Sequence, residues 1–445
     1  MAKRRAFLWT PLINKPNRNL ENTMNAVTET LLSKQPTRID LLLRKAFLDK
    51  MARLENAVLT VSDPLGEFVL GTQGSDGLQA RIDVLDISFY RQVALGGSIG
   101  AAESYMDQGW QADDLCSVIQ ILVRNRDLLD SMEGGLATLA NQLLKFWHFA
   151  NRNSQPNSKK NIAAHYDLGN DLFALFLDQH GMYSSATFYN PELSLEEAST
   201  AKLERICQKL NLQPEDYVLE IGTGWGGFAT YAAKNYGCKI TTTTISKEQY
   251  QAAKQRLVDG GVADQVTLLM EDYRDLQGSY DKLVSIEMIE AVGHHYLDTY
   301  LKQCAALLKP NGLALIQAIT IEDRYYYQAL KSVDFIKRYI FPGSFIPCVS
   351  AIVASASRCT DLRLINLEDQ GESYALTLNS WRKRFMAALD QVRAQGYNEE
   401  FIRMWEFYLC YCEGGFKEKS ISNVQLLLAK PGNRRQQWLP VYDAK

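Results

Sequence analysis

Residues 218–227 constrain the fold of this chain more than any other segment. They read VLEIGTGWGG, so four apolar or β-forming positions run directly into a glycine cluster, and a helical pattern begins at Phe228. A strand that turns tightly into a helix presents backbone N–H groups at the helix N-terminus, where α/β proteins hold a ligand. Glycine is needed in the turn because a Cβ would keep the ligand away from the backbone. The segment therefore predicts an α/β fold with a ligand site at this turn.

Strands and helices alternate around this turn. Apolar, β-rich runs at 217–222, 238–244, 265–269, 281–286 and 312–319 are mostly separated by helical patterns near 226–236, 247–259 and 296–308. A short helix at about 170–177 and a long one over 194–210 precede them. Such alternation predicts a doubly wound, mostly parallel, Rossmann-like sheet whose ligand crevice lies at the carboxyl ends of the strands.

The remaining length predicts further organisation. Residues 1–36 form a polar N-terminal arm, and residues 37–150 form a smaller α+β domain. This domain has a hairpin around 63–66 and helical patterns at about 87–108 and 113–148. Residues 151–161 are rich in Asn, Ser and Lys and predict a linker, which leaves 162–445 as the larger domain.

Composition excludes several classes of function. The formal charge of −3 disfavours nucleic acid as the main partner, because duplex-binding proteins usually carry a basic excess. Eight cysteines without CxxC spacing indicate reduced thiols, and five histidines without HxxxH spacing predict no metal site. No run approaches the roughly 20 apolar residues of a transmembrane helix. We therefore expect a cytoplasmic protein, although a local basic patch would still allow contact with a membrane.

The strand after the glycine turn decides which cofactor the turn serves. The spacing of Gly222, Gly224 and Gly227 also fits the dinucleotide fingerprint, which needs an acidic residue at the end of the next strand. That strand, at 239–245, ends in threonines followed by Ser-Lys-Glu-Gln at 246–249, so no carboxylate closes it. A nicotinamide cofactor is therefore disfavoured.

Several segments together resemble the cyclopropane fatty acid synthase family of S-adenosylmethionine (SAM) methyltransferases. The glycine turn and TISKEQ at 244–249 resemble the family's first and second motifs. Further matching segments, in the family's order, are HYDLGND at 165–171, Tyr-Ser at 183–184, EDYRDL at 271–276, EMIEAVGH at 287–294 and YIFPG at 339–343. Upstream, GSIG at 97–100 and ESYM at 103–106 resemble the small N-terminal domain of the longer members, so the resemblance covers residues from about 80 nearly to the C-terminus.

The resemblance implies SAM as the co-substrate. The residues that it assigns to SAM are Tyr183, Ser184, Glu220, Gly222, Thr223, Gly224, Trp225, Gly226, Gly227, Thr244, Ile245, Gln249, Tyr273, Arg274 and Glu287. Gln249 takes the ribose contact in the family. Glu287 is equally well interpreted as a structural carboxylate.

The resemblance also implies a carbocation reaction that needs a base. In the family, a bicarbonate ion held partly by the glutamate at position 290 removes the proton. The predicted catalytic residues are Glu290, Cys412, Tyr374, Gln317, Ser185 and Ile319. Ser185 and Gln317 replace a cysteine and a histidine of many members, and both still donate hydrogen bonds to an anion. We expect the bicarbonate site to be kept with altered ligands, although its loss stays open, and Cys412 is either catalytic or an apolar wall.

The implied reaction converts a cis-unsaturated acyl chain of a phospholipid to a cyclopropane at a membrane surface. The N-terminal domain would then engage lipid, with peripheral attachment to the inner membrane face and a homodimer as further expectations. A methyl-branched product, a small-molecule amine N-methyltransferase, and a lipid-binding protein without turnover stay open as alternatives.

Overall fold

The computed structural model describes residues 36–130 and 169–434, which form two sheets. One apolar cluster extends from the smaller sheet to the carboxyl-terminal helices, and two further clusters pack on the larger sheet. The arm, the linker at 151–161 and the first part of the HYDLGND segment lie outside the described residues. Among residues 36–130 and 169–434, none of the helices has the length and hydrophobicity of a transmembrane span.

A four-stranded sheet lies in the first part of the chain. Helix α1 (Arg38–Met51) precedes strands β1 (Ala57–Asp63), β2 (Gly66–Thr72) and β3 (Gln79–Val84). Helix α2 (Phe89–Met106), strand β4 (Trp110–Ala112) and helices α3 (Leu115–Arg124) and α4 (Arg126–Asp130) follow. The strand order is β2-β1-β3-β4, with β1 and β2 forming the predicted hairpin.

Helices of this part depart from the predicted patterns at two residues. Helix α2 kinks at Gly97, whose φ of 55° is one that glycine adopts readily. The helical pattern predicted over 113–148 is interrupted, because α3 ends at Arg124 and α4 starts at Arg126, and its part beyond residue 130 lies outside the described residues. The side chain of Asn125 hydrogen-bonds both to the Glu55 backbone and to the Ile121 carbonyl. These bonds connect the end of helix α3 to the segment that leads into strand β1.

The larger sheet has the predicted doubly wound form. Its strands are β5 (Tyr217–Ile221), β6 (Lys239–Thr243), β7 (Val266–Leu269), β8 (Tyr280–Ile286), β9 (Leu308–Ile321), β10 (Arg363–Asp369) and β11 (Ile421–Ala429), in the order β10-β11-β9-β8-β5-β6-β7. Pairing is parallel from β9 to β7, whereas β11 pairs antiparallel with both β9 and β10. The predicted fold class is confirmed, although β9 starts four residues before the predicted 312.

The helices of the larger part cover and connect this sheet. They are α5 (Asn170–Ala174), α6 (Leu195–Leu210), α7 (Gly227–Tyr236), α8 (Lys247–Asp259), α9 (Leu297–Ala306), α10 (Tyr326–Lys331), α11 (Val349–Cys359), α12 (Gly371–Ala387), α13 (Leu389–Ala394) and α14 (Glu399–Lys417). Short 3₁₀ turns at Ile289–Ala291, His294–Tyr296 and Asp323–Tyr325 and a π-helical turn at Ile336–Ile340 complete the connections.

Helix α14 fastens the two sheets together. The Tyr105 hydroxyl donates to Glu406 over 2.8 Å, and Arg403 donates to the Trp110 carbonyl, also over 2.8 Å. Apolar side chains of α14 belong to the same buried cluster as those of α1, α2 and α3. The first part of the chain therefore packs against the carboxyl-terminal helices.

Candidate active site

The glycine turn opens onto a cavity at the carboxyl ends of the parallel strands. Gly222, Gly224 and Gly226 have φ of 99°, 52° and 82°, respectively, values that favour glycine. A Cβ at Gly224 would meet no atom within 4 Å, so the turn faces open space. A Cβ at Gly227, in contrast, would overlap the His180 carbonyl, so this glycine is required by packing. The turn is an open cradle for a ligand, as predicted.

Polar side chains from neighbouring strand ends frame this cradle. Glu220 accepts a hydrogen bond of 2.6 Å from the Thr242 hydroxyl, and burial raises the pKa of Glu220 to about 8. The Thr244 hydroxyl donates to the Gln249 amide oxygen over 2.8 Å, which orients that side chain at the cavity wall. A buried carboxyl group and an oriented amide beside the cradle fit the polar groups of a nucleoside.

The far side of the cradle is built by the 271–276 segment. Arg274 pairs with Asp272 through bonds of 2.7 and 2.8 Å and lies over the rings of Tyr273 and Tyr296. Tyr273 is buried at the cavity wall, and burial raises the pKa of its hydroxyl. This part of the site offers an aromatic surface beside a fixed cation, which suits a flat base.

Most residues predicted to hold SAM line the cavity. These are Tyr183, Ser184, Glu220, Gly222, Thr223, Gly224, Trp225, Thr244, Ile245, Gln249, Tyr273, Arg274 and Glu287. Gly226 and Gly227 do not line it, because they form the start of α7 behind the turn. With its open glycine cradle, the site fits a nucleoside-containing co-substrate.

The segment at 183–185 is held by a buried cation that the sequence did not indicate. The Lys202 ammonium, fully buried on α6, donates to the Ser184 hydroxyl over 2.8 Å. Burial lowers the pKa of Lys202 to about 8, and the charges of Asp178 and Glu287 oppose that shift. Lys202 therefore brings positive charge close to the carboxylate at 287.

Glu287 lies where strand β8 ends and is the most heavily hydrogen-bonded carboxylate of the site. Its Oε1 accepts from the Ser185 N–H at 2.9 Å, from Gln317 at 2.8 Å and from Asn423 at 2.8 Å. Its Oε2 accepts from the Tyr374 hydroxyl at 2.7 Å. Burial raises the pKa of Glu287, whereas these donors from Gln317, Ser185 and Tyr374 act in the opposite direction.

Glu290 is the second buried carboxyl group of the site. Its Oε1 accepts from the Ile319 N–H at 2.5 Å, and its Oε2 is buried without a partner among the described residues. Burial, and then the charge of Glu287, raise the pKa of Glu290 to about 8. The structure therefore brings together two carboxyl groups with unlike surroundings, an arrangement typical of acid–base sites.

The predicted catalytic residues divide into those that face the cavity and those that do not. Glu290, Tyr374, Ile319 and Cys412 line it, together with Glu287. Ser185 and Gln317 are fully buried behind Glu287 and do not line it. Burial raises the pKa of the Cys412 thiol well above its ordinary value, so this thiol stays protonated and forms an apolar wall.

Sequence reasoning missed Asn423 and Gln425 on β11. Gln425 lies directly opposite Gln317 and donates to its amide oxygen over 3.0 Å, which turns the Gln317 NH₂ group toward Glu287. Both residues are fully buried in a strand whose remaining residues, apart from Ser422, are apolar. Two amide side chains spaced by two residues lie on the same face of a strand. This spacing in the sequence could have indicated a buried polar site on β11.

The cavity continues from the cradle into the first part of the chain. Its volume is about 770 Å³. Side chains of α1, α2 and α3, including Phe47, Val93 and Leu122, line it together with Gly97 at the kink of α2. The site thus joins a polar cradle, two buried carboxyl groups and a long apolar interior.

Comparison with known proteins identifies the family. The sequence profile described as mycolic acid cyclopropane synthetase matches residues 153–426. The tuberculostearic acid methyltransferase UfaA1 of Mycobacterium tuberculosis is 36% identical over 350 residues, which are 77% of this chain and 81% of that protein. The cyclopropane-fatty-acyl-phospholipid synthase of Escherichia coli K12 is 36% identical over 353 residues, 79% of this chain and 88% of that protein.

Solved structures agree with this result. Mycolic acid cyclopropane synthase CmaA1, complexed with SAH and CTAB, superposes with a TM-score of 0.57 at 28% identity. The superposition covers 61% of this chain and 98% of that one. The predicted family is confirmed, and the chain belongs to the cyclopropane synthase family of SAM-dependent methyltransferases.

Proposed function

We propose that this enzyme transfers a one-carbon unit from SAM to the cis double bond of an unsaturated acyl chain in a phospholipid, forming a cyclopropane. The observation that carries the proposal is the single cavity of about 770 Å³, in which an apolar interior meets the cradle and the carboxyl groups of Glu287 and Glu290. An acyl chain needs a long apolar channel, and the reaction needs a proton acceptor beside it.

The chain's own residues have three tasks in this reaction. Bound SAM supplies the electrophilic one-carbon unit. Gly222, Gly224 and Gln249 would hold its nucleoside part, as the open cradle supports. The apolar walls exclude water from the cation that forms on the acyl chain, and one buried carboxylate takes the proton that is released.

A membrane surface as the source of substrate is supported by helix α1. Leu43 and Ala46 line the cavity, and the residues one turn earlier, Ile39 and Leu42, are 63% and 69% exposed. These four residues follow the i, i+3, i+4, i+7 spacing of one helical face. An apolar face that continues from the cavity to the surface suits entry of an acyl chain from a bilayer.

This membrane contact is testable with phospholipid vesicles. Replacing both Ile39 and Leu42 with aspartate is expected to reduce cosedimentation with vesicles and to leave SAM affinity unchanged. Val258→Asp is the matched control, because Val258 is an exposed apolar residue on α8. Equal vesicle binding by the double variant and the control would contradict the proposed entry face.

Bicarbonate was predicted as the base, and the residues do not fit it. Gln317 and the Ser185 N–H, which would hold the ion, donate to the Glu287 carboxylate instead, as does Tyr374. Ser185 and Gln317 do not line the cavity. We therefore assign no step to a bound bicarbonate.

Two alternatives differ in their product. A methyl-branched acyl chain is favoured by the 36% identity to an enzyme named tuberculostearic acid methyltransferase. A small-molecule amine would leave the apolar interior of this cavity unfilled, which disfavours an amine N-methyltransferase. A homodimer stays a prediction.

Mass spectrometry of fatty acids from a host without its own cyclopropane synthase tests the proposal. Expression of the chain is expected to add a mass corresponding to one CH₂ group to the unsaturated acids, and fragmentation after hydrogenation separates a ring from a branch. A branch would replace the ring in the proposal with methyl branching. No added mass in the lipids would contradict the acyl-chain substrate.

A further inference from the structure

The Glu287 carboxylate is surrounded by hydrogen-bond donors whose arrangement suits an anion. A backbone N–H, two side-chain amides and a tyrosine hydroxyl converge on its two oxygens from four separate elements. Three of these bonds reach Oε1, and only the Tyr374 hydroxyl reaches Oε2. Oε1 is therefore saturated, whereas Oε2 keeps capacity to accept a proton.

The backbone at this position is unusual for a glutamate. Glu287 has a φ of 50°, in the left-handed region that is unfavourable for residues other than glycine. Glycine would avoid this cost and would leave the donors around an empty space of about carboxylate size. The chain instead places a tethered carboxylate there, at the wall of the cavity.

We propose that the Glu287 carboxylate is the proton acceptor of the reaction and takes the place of a dissolved inorganic anion. This inference rests on the proposed function for its chemistry. The donors hold the carboxylate in one orientation, and Oε2 receives the proton. The enzyme consequently carries its base within the chain and needs no bicarbonate.

The step balances without an added reactant. After the one-carbon unit has joined the acyl chain, a C–H bond of the new methyl group breaks. Its electron pair closes the ring onto the cationic carbon, and the proton passes to Oε2 of Glu287. The neighbouring Glu290 has a pKa of about 8 and holds its own proton at neutral pH. The pair therefore begins the step with one negative charge, which the donors place on Glu287.

Substitution of Glu287 by glycine gives a direct test. Glu287→Gly relieves the backbone cost and opens the donor set to an external anion. In buffer free of carbon dioxide, its activity is expected to fall by about 10²-fold or more, the usual contribution of a positioned base. Added bicarbonate or acetate is expected to restore activity at least roughly tenfold, because the anion then occupies the vacated donors.

Glu287→Gln is the matched control. Its amide fills the same space, so it loses activity and no anion rescues it. Wild-type activity is expected to be the same with and without bicarbonate. The proposal is overturned if wild-type activity depends on bicarbonate, if folded Glu287→Gly stays active without an anion, or if no anion rescues it.

Binding of ¹³C-labelled bicarbonate, followed by NMR line broadening, separates this inference from the proposed function. We expect broadening with Glu287→Gly and none with the wild type or Glu287→Gln. This result would support Glu287 as the resident anion even if the wild type acts on a substrate other than a phospholipid. Broadening with the wild type would overturn the inference even if cyclopropanes form.

Discussion

Replacing Glu290 with glutamine is expected to remove a pH-dependent component of the stability of the fold. Burial and the charge of Glu287 raise the pKa of Glu290 from 4.5 to about 8. A carboxyl group with a higher pKa in the folded chain binds its proton more tightly there than in the unfolded chain. Its contribution to stability is therefore complete below the unfolded pKa of 4.5 and is lost as the pH rises through about 8.

The size of this effect follows from the shift. One pKa unit corresponds to about 1.4 kcal/mol, so the upper limit across the window is about 5 kcal/mol. Glutamine is neutral at every pH and keeps an oxygen for the Ile319 N–H. We expect the free energy of unfolding of the wild type to fall by about 2 kcal/mol or more relative to Glu290→Gln between about pH 5.5 and about pH 8.

Urea unfolding at these two pH values measures the difference. Glu192→Gln is the control, because Glu192 is exposed on a loop and its removal leaves the buried pair intact. The control is expected to follow the wild type at both pH values. If Glu290→Gln also loses stability in parallel with the wild type, Glu290 does not hold a proton in the folded state.

Three further substitutions test other parts of the site. Gly227→Ala is expected to raise the dissociation constant for SAM at least roughly tenfold, measured by calorimetry, because its Cβ would overlap the His180 carbonyl and displace the glycine turn. Arg382→Met is expected to cost about 2 kcal/mol in urea unfolding, because the fully buried Glu413 loses a charged hydrogen bond of 2.8 Å but keeps its ion pair with Lys417, while SAM affinity stays unchanged. Cys412→Ala is expected to lose less than about tenfold in turnover, since a protonated thiol acts only as a wall; a complete loss would show that the thiol takes part in the reaction.

The fold was largely predictable because its signals are local. Glycine turns, apolar runs and helix periodicity place five of the seven described strands of the larger sheet within a few residues, whereas β10 and β11 were not predicted. The break at Asn125 was not predictable, because it depends on hydrogen bonds to Glu55, 70 residues earlier in the chain. The periodicity of a helical segment does not reveal a hydrogen bond to a residue so far away in the sequence.

Site residues that lie within recognisable sequence motifs were predictable. Glu290, Tyr374 and Ile319 face the cavity as the resemblance implies. The role of Glu287 was predicted only in part, because it depends on hydrogen-bond donors that lie far away in the sequence. Ser185, Tyr374 and Asn423 are 87 to 136 positions from Glu287. Lys202 gave no signal either, since a lysine on an amphipathic helix ordinarily faces solvent.

The left-handed backbone at Glu287 is best explained by its chemistry. A strain of roughly 1–2 kcal/mol is small beside four hydrogen bonds to a charged group, each contributing about 1.5–3 kcal/mol. Those bonds, however, mainly offset the cost of burying the charge, so a glycine with no buried charge would fold at least as well. A dissolved anion in the same place would have to bind before each proton transfer, whereas a tethered carboxylate is always present and already oriented. Fixing the base in the chain thus makes turnover independent of the bicarbonate concentration.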